Sequence, residues 1–293
     1  MFILAHLSDI HLAPLPRPNP SELLSKRGLG YINWLRKRRR VHRADMLARV
    51  VADLKARKPD HIAVTGDLVN LSLTSEFAPA CAFLAGLGDA NAVTVVPGNH
   101  DSYVRSAETL ALQHWADYMR GDNNENFPFV RRRGPAAIVG LSTSLPTAPL
   151  SATGKLHGDQ LARVADILAA LGREKAFRVV LIHHPPTEGA HHFRRLRDAD
   201  KMRDALKACG AELVLHGHHH ESSLVWLPGP EHRIPVIGVP SASGSPDYHD
   251  DPGGYNLYEI DGEPGAWRCT LVSRGWHRDD RRITELRRQP LMG

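Results

Sequence analysis

Five short apolar runs each end in a cluster of glycine, proline and ionisable residues, and this pattern constrains the fold of the 293-residue chain most strongly. Short apolar runs bounded by turn residues are typical of buried strands in an α/β sheet. In every case the polar cluster lies on the C-terminal side of the run. The runs are residues 2–7, 61–64, 92–96, 179–182 and 213–215.

Segments with helical spacing separate these runs, at residues 44–57, 76–87, 159–171 and 200–209. Strand–helix alternation predicts an α/β fold, and α/β sheets bind ligands outside the carboxyl ends of their strands. All five polar clusters are therefore predicted along one rim. Residues 234–239, 255–260 and 267–273 read as strands without intervening helices, which predicts a second sheet packed on the first.

An aspartate–histidine pair stands at the end of the first run and a histidine pair at the end of the fifth. Asp9 and His11 are two residues apart, as are His218 and His220. On an extended strand end, side chains two apart point the same way, so each pair is expected to face one ion.

Three more candidate ligands, Asp67, Asn99 and His183, each follow a buried run. With the two pairs they supply four imidazoles, two carboxylates and an amide oxygen. This set is too large for one ion, and it suits two ions that share a carboxylate. Paired ions promote in-line displacement at phosphorus. A nitrogen and oxygen set without thiolate suits manganese, iron, zinc or cobalt, and it does not choose among them.

The sequence contains five motifs in a fixed order: DxH, GD, GNHD, HHP after an apolar run, and GHxH. Over roughly residues 1–240 this order resembles the calcineurin-like metallophosphoesterase superfamily. The resemblance implies an α/β fold, a four-layer αββα sandwich with two mixed β-sheets flanked by helices. Of two adjacent histidines, His183 rather than His184 fits the family's VxxH spacing. The implied ligands are Asp9, His11 and His220 for one metal and Asn99, His183 and His218 for the other, with Asp67 bridging them.

The GNHD motif also implies two catalytic residues. His100 matches a family histidine that is not a ligand and that faces the leaving group, and Asp101 is expected to orient it. The resulting hypothesis is that a metal-bound hydroxide attacks phosphorus, both ions neutralise the developing charge, and His100 assists departure of the alcohol.

The order of the motifs, the HHPP segment and the chain length are most similar to bacterial class III phosphodiesterases acting on cyclic nucleotides and glycerophosphodiesters. A small phosphodiester is therefore the predicted substrate. Two alternatives are a lipid-nucleotide pyrophosphohydrolase resembling the UDP-diacylglucosamine hydrolases and a nuclease. No nucleic-acid-binding module is recognisable, so nucleic acid is disfavoured. A non-catalytic scaffold would usually have lost ligands, and none is lost here.

A basic helical insertion is predicted at about residues 14–43, between the first two candidate ligand clusters. Residues 36–43 read RKRRRVHR, and the chain has a net charge of +5. Because Tyr31, Ile32, Trp34 and Leu35 interleave with these charges, residues 21–43 resemble an interfacial helix that contacts an anionic lipid surface. A cap beside the metals and a solvated helix face are the other interpretations.

The remaining features favour a single domain over residues 1–293 with a β-rich part at about 234–275. Three scattered cysteines, Cys81, Cys209 and Cys269, are expected to be buried thiols in a reducing compartment. The N-terminus lacks the features of a signal peptide, which predicts a cytoplasmic protein, with a location peripheral to the inner membrane as the alternative. Residues 131–133 are predicted as a solvated turn and residues 247–251 as a polar loop, and residues 191–192 are interpreted either as part of a substrate-facing loop or as an exposed loop pair.

Overall fold

The computed structural model describes residues 1–107, 109–189, 191–248 and 250–293. Its first sheet has six strands in the order β12-β11-β10-β1-β2-β3. Strand β1 pairs parallel to β2 and antiparallel to β10, so the sheet is mixed. The strands are β1 (Phe2–Leu7), β2 (His61–Val64), β3 (Val93–Val95), β10 (Gly254–Glu263), β11 (Ala266–His277) and β12 (Arg282–Met292).

The second sheet also has six strands, in the order β4-β5-β6-β7-β9-β8. Its four middle strands β5, β6, β7 and β9 are parallel, and the two edge strands are antiparallel to their neighbours. The strands are β4 (Phe129–Arg133), β5 (Ala136–Gly140), β6 (Phe177–Leu181), β7 (Leu213–His216), β8 (Ser223–Leu227) and β9 (Ile234–Gly238).

Helices cover the outer face of each sheet. Helix α3 buries Met46, Leu47, Val50 and Leu54, which lie on one face at helical spacing. The helices are α1 (Lys26–Asn33), α2 (Arg39–Val41), α3 (Ala44–Ala56), α4 (Thr74–Leu87), α5 (Leu110–Trp115), α6 (Gln160–Arg173) and α7 (Ala199–Cys209), and a π-helical turn, Trp34–Arg38, joins α1 to α2.

Three clusters of buried side chains define four layers. One lies between the first sheet and helices α3, α4 and α5, and a second lies between the other sheet and helices α6 and α7. The third joins the two sheets face to face and includes Leu4, Tyr258, Val179 and Leu215. The predicted αββα sandwich with two mixed sheets is confirmed.

The expectation that the C-terminal strands form a sheet of their own is wrong. Strands β10, β11 and β12 extend the first sheet from β1, and β9 belongs to the second. The five predicted strands are also divided, since β1, β2 and β3 lie in one sheet and β6 and β7 in the other. A pattern of apolar residues predicts that a segment is a strand. Which other strand it pairs with depends on long-range contacts, and the local sequence does not specify these.

Two smaller expectations are also corrected. Residues 131–133 belong to β4 rather than to an exposed turn, and Arg131 is 4% exposed. Only Cys269 is buried, whereas Cys81 and Cys209 are partly exposed. Helices of this length expose one face, and these two thiols do not lie on the fully buried face of their helices.

Candidate metal centre

The seven predicted ligands converge where strand ends of the two sheets meet. Asp9 and His11 follow β1, Asp67 follows β2, and Asn99 follows β3. From the other sheet, His183 follows β6, and His218 and His220 follow β7. Of the seven, only His220 is more than slightly exposed, with 21% of its side-chain surface accessible. A buried group of carboxylates and imidazoles at strand ends is the kind of environment in which metals are bound.

Five of these residues have left-handed backbone conformations, which residues other than glycine seldom adopt. The expectation of extended strand ends is therefore wrong at both pairs, because the chain coils immediately after β1 and β7. Such conformations cost energy and are concentrated at functional sites. The φ angles are 53° at Asp9, 41° at His11, 55° at Asp67, 72° at His218 and 61° at His220.

The Asp67 carboxylate lies between the two halves of the cluster. Its Oδ2 is 3.8 Å from Nε2 of His11 and 3.5 Å from Nε2 of His183. Its Oδ1 accepts a hydrogen bond of 2.7 Å from the backbone amide of His100, which fixes the carboxylate. One oxygen thus faces an imidazole on either side.

On one side of Asp67 stand Asp9, His11 and His220. Asp9 Oδ1 is 3.1 Å from Nε2 of His220 and 4.0 Å from Nε2 of His11, and it is buried without a hydrogen bond. Nδ1 of His11 lies 3.1 Å from the carbonyl of Val69, so that Nε2 faces the carboxylates. A buried carboxylate oxygen with two imidazoles and no hydrogen bond fits a cation.

On the other side, His183 and His218 also have one ring nitrogen held by a backbone carbonyl. His183 Nδ1 is 2.6 Å from Thr65 O, and its Nε2 is 3.3 Å from Asn99 Oδ1. His218 Nε2 is 2.8 Å from Arg194 O, which leaves Nδ1 as its available nitrogen. Carbonyl acceptors of this kind fix the tautomer of metal-binding histidines.

His184 lies beside this group, with its ring centroid 4.3 Å from that of His218. Its two nitrogens are within 2.8 Å of Thr143 Oγ1 and 3.1 Å of Ala152 O. His184 is less suited to bind a metal than His183, because neither of its partners is a candidate ligand, whereas Nε2 of His183 faces the candidate ligands Asn99 and Asp67.

The electrostatics of the metal-free cluster differ between its imidazoles. Burial lowers the pKa of His11 and of His218 well below the usual value, so both imidazoles are neutral. Burial opposes protonation of His183 as well, yet the Asp67 carboxylate raises its pKa to about 9. A metal and a proton compete for such a carboxylate–imidazole pair.

The donor atoms fit first-row transition metals. Within three groups the donor atoms lie within 4.8 Å of one another: Asp9, His11 and Asp67; His11, His42 and His220; and His183, His184 and His218. Nitrogen and carboxylate oxygen donors of this kind suit manganese, iron and zinc alike, so the geometry does not select one metal.

His100 lies beside the cluster, with its ring centroid 4.9 Å from that of His11. Its Nδ1 is 2.5 Å from Asn70 O, so Asn70 orients the ring. The expectation that Asp101 orients His100 is wrong, because the Asp101 carboxylate instead accepts hydrogen bonds from the backbone amides of residues 67, 68, 69 and 98. Asp101 thereby holds together the loops that carry Asp67 and Asn99.

Sequence reasoning missed two residues of the insertion that reach the site, Arg38 and His42. The Arg38 guanidinium contacts the imidazoles of His11 and His100, and the ring of His42 is 4.3 Å from that of His11. His42 Nδ1 is 3.0 Å from Ser243 Oγ. The spacing of four between Arg38 and His42 is a usable signal, because residues four apart in a helix share a face.

The other polar segments do not join the cluster. His191 and His192 are exposed, and so are Asp247, Tyr248 and Asp250. His249 lies outside the described residues. In the part of the chain that the structure describes, no helix combines the length and the apolar character needed to cross a bilayer.

Comparisons with known proteins bear on the family and the fold of this chain. The calcineurin-like phosphoesterase family model matches residues 2–222. A dimetal phosphatase from Danio rerio has a similar structure, with a TM-score of 0.66 and 12% identity, covering 99% of this chain and 98% of that one. A purple acid phosphatase from yellow lupin seeds has a TM-score of 0.61 and 12% identity, covering 97% of this chain and 52% of that one. The search of curated proteins found no match.

Proposed function

This chain belongs to the calcineurin-like phosphoesterase family, and we propose that it is a phosphodiesterase that depends on a dinuclear metal centre. The observation that carries the proposal is the position of Asp67 Oδ2 between Nε2 of His11 and Nε2 of His183. A carboxylate oxygen between two imidazole groups is what a bridged metal pair requires. The preference for diesters rests on the order of the motifs and on the HHPP segment.

In this proposal Asp9, His11 and His220 hold one metal, Asn99, His183 and His218 hold the other, and Asp67 bridges them. Two bound metal ions would supply an activated water and neutralise the charge that develops on the phosphoryl group. The protein contributes the orientation of the ligands, since carbonyls of Val69, Thr65 and Arg194 hold three of the imidazoles.

His100 is proposed to assist the departure of the leaving alcohol. Burial, together with the Arg38 guanidinium, lowers the pKa of His100 to about 3, so the ring is neutral in the free protein. An anionic phosphate beside the ring favours protonation of Nε2, because the anion stabilises the imidazolium. The proton on Nε2 is then the one that can pass to the leaving oxygen, while Nδ1 stays bonded to Asn70.

The class of reaction is tested with metal-stripped protein reloaded separately with manganese, iron or zinc. Bis(4-nitrophenyl) phosphate and 4-nitrophenyl phosphate are compared as diester and monoester, with Asp67→Ala as the control variant. We expect metal to restore diester turnover and Asp67→Ala to lower it by about a thousandfold or more, because metal ions contribute several kcal/mol to catalysis. Faster turnover of the monoester would exclude the diester preference, and no turnover with two bound metals would contradict hydrolysis of simple esters.

The role of His100 is tested separately with His100→Ala. We expect this variant to keep its metal content and to lose about a hundredfold or more in kcat, as is usual when an acid or base is removed. The loss is expected to be smaller for substrates with good leaving groups, which need less assistance. Equal losses for good and poor leaving groups would contradict the proposed role.

A second candidate, a lipid-nucleotide pyrophosphohydrolase, is favoured by the exposed side of the insertion. Leu24, Leu29, Ile32 and Leu35 are exposed by 90%, 57%, 47% and 38%, and residues 36, 37, 39 and 40 add four exposed cations. An apolar and basic surface of this kind matches an anionic bilayer. By contrast, Tyr31 and Trp34 pack partly against the protein, so they are not the lipid-facing residues. Hydrolysis of a lipid pyrophosphate ester only with detergent or vesicles would favour this candidate.

A further inference from the structure

The insertion is attached directly to the loops of the metal centre. Arg27, which is 6% exposed, donates from Nε to Leu71 O at 3.1 Å and from its guanidinium to Ser72 O. Helix α1 also packs closely at Gly30, where an added Cβ would lie 2.6 Å from Leu71 Cδ2 and 2.8 Å from Tyr103 Oη. This close packing fixes the position from which the next turn of the insertion reaches the site.

The π-helical turn Trp34–Arg38 directs one arginine into the centre. Arg38 Nη1 is 3.0 Å from Nε2 of His100, and Arg38 Nη2 is 3.1 Å from Nε2 of His11. Its neighbours Lys37 and Arg39 are exposed, whereas Arg38 is half-buried. Among the described residues no carboxylate forms an ion pair with Arg38, and its polar contacts are imidazole nitrogens.

A half-buried guanidinium in this position needs an anion. Desolvation of a cation is costly unless it is paired, and two metal ions held by the adjacent ligands would add repulsion. Asp9 and Asp67 are near enough to act on Arg38 electrostatically, but their oxygens face the imidazoles. The missing partner is therefore supplied from outside the protein.

We infer that Arg38 binds the non-bridging oxygens of the substrate's phosphoryl group, so that the insertion completes the substrate site. The inference rests on the proposed phosphoesterase function and adds a binding residue to it. A planar guanidinium donates two parallel hydrogen bonds to a phosphate, a geometry that a lysine does not reproduce. In the bound state a phosphate between Arg38, His11 and His100 would be in contact with both the insertion and the metal centre.

The test measures binding of inorganic phosphate to metal-loaded protein by isothermal titration calorimetry, without any turnover. The variants are Arg38→Ala, Arg38→Gln and Arg38→Lys, and Arg39→Ala is the matched control because it removes an equal charge from the next residue, which is exposed. Metal content and circular dichroism are recorded for each. We expect Arg38→Ala and Arg38→Gln to bind phosphate about tenfold to a hundredfold more weakly, Arg38→Lys to be intermediate, and Arg39→Ala to resemble the wild type.

Two results would overturn the inference. Equal phosphate affinity in the wild type, Arg38→Ala and Arg38→Gln would show that Arg38 does not bind the anion. Loss of metal from Arg38→Gln, which keeps most of the side chain, would show that Arg38 maintains the metal centre instead. Because calorimetry needs no turnover, a wild-type protein that binds phosphate through Arg38 and hydrolyses no diester would contradict the proposed function and leave this inference standing.

Discussion

Two arginine-rich segments, residues 36–40 and 131–133, look alike in sequence and differ in what their inward arginine contacts. Arg131 donates to the backbone carbonyls of residues 90, 93, 117 and 120, including bonds of 2.5 Å to Ala90 O and 2.9 Å to Val93 O. Arg38 contacts the imidazoles of His11 and His100 instead.

The role of a buried cation can be inferred from the groups that it contacts. The hydrogen bonds of Arg131 join strand β4 to four backbone carbonyls between residues 90 and 120, so its contribution is to stability. Arg38 faces groups that cannot neutralise its charge, so its contribution is to the binding of an anion. The number of arginines in a segment says nothing about either role.

Among the arginine variants, the largest effect is expected for Arg38→Ala on turnover. Removal of a preorganised positive charge from the phosphoryl site is expected to lower kcat/KM for an aryl phosphodiester by about a hundredfold to a thousandfold. The urea midpoint of unfolding should change little, because no buried carbonyl loses a donor. The comparison between the two arginines fails if Arg38→Ala instead unfolds at clearly lower urea while turnover per folded molecule is kept.

Arg131→Ala is expected to give the opposite result. Four backbone carbonyls lose a charged donor, and the carbonyl of Val93 belongs to a buried residue, so the free energy of unfolding should fall by about 3 kcal/mol, while kcat/KM of the folded protein stays near the wild-type value. Urea denaturation and the steady-state rate measure the two quantities. The matched control is Arg132→Ala, which breaks an exposed ion pair with Glu174 and should cost about 1 kcal/mol or less. If fully folded Arg131→Ala protein has a lower kcat/KM than the wild type, the proposal that Arg131 only stabilises the fold is contradicted.

The smallest effect concerns the exposed cations of the insertion. The double variant Arg39→Ala with Arg40→Ala is expected to weaken binding to vesicles containing phosphatidylglycerol by about 1 kcal/mol per arginine. Turnover of a soluble aryl phosphodiester should not change. Co-sedimentation at low and high salt gives the measurement, with neutral phosphatidylcholine vesicles as the reference. If the wild-type protein does not bind anionic vesicles, the exposed cations of the insertion have no role in membrane binding. The insertion would then act only through Arg38 and His42 at the metal centre.

Much of the candidate centre was predictable because its side chains are tied to strand ends. Asp67, Asn99 and His183 each follow a buried apolar run within a few residues, and polar side chains at the carboxyl ends of strands are placed to form a site. The prediction of a single rim was wrong, because the strands belong to two sheets whose ends meet. The left-handed conformations at Asp9 and His11 were not predictable, since the interstrand and loop contacts that stabilise them come from residues distant in sequence. The sheet of the C-terminal strands was missed for the same reason.

The positions of the buried strands and of the residues from which a metal centre can be built follow from the sequence alone, because apolar periodicity and motif spacing are local properties. The αββα arrangement of these strands was implied by the resemblance of the motifs to a known superfamily. The three-dimensional contacts, by contrast, were needed to show that Arg38 and His42 reach that centre, that Asn70 rather than Asp101 orients His100, and that Arg131 is buried. The physical reason is that the role of a polar side chain depends on the groups that surround it after folding. Those groups come from residues far away in the chain.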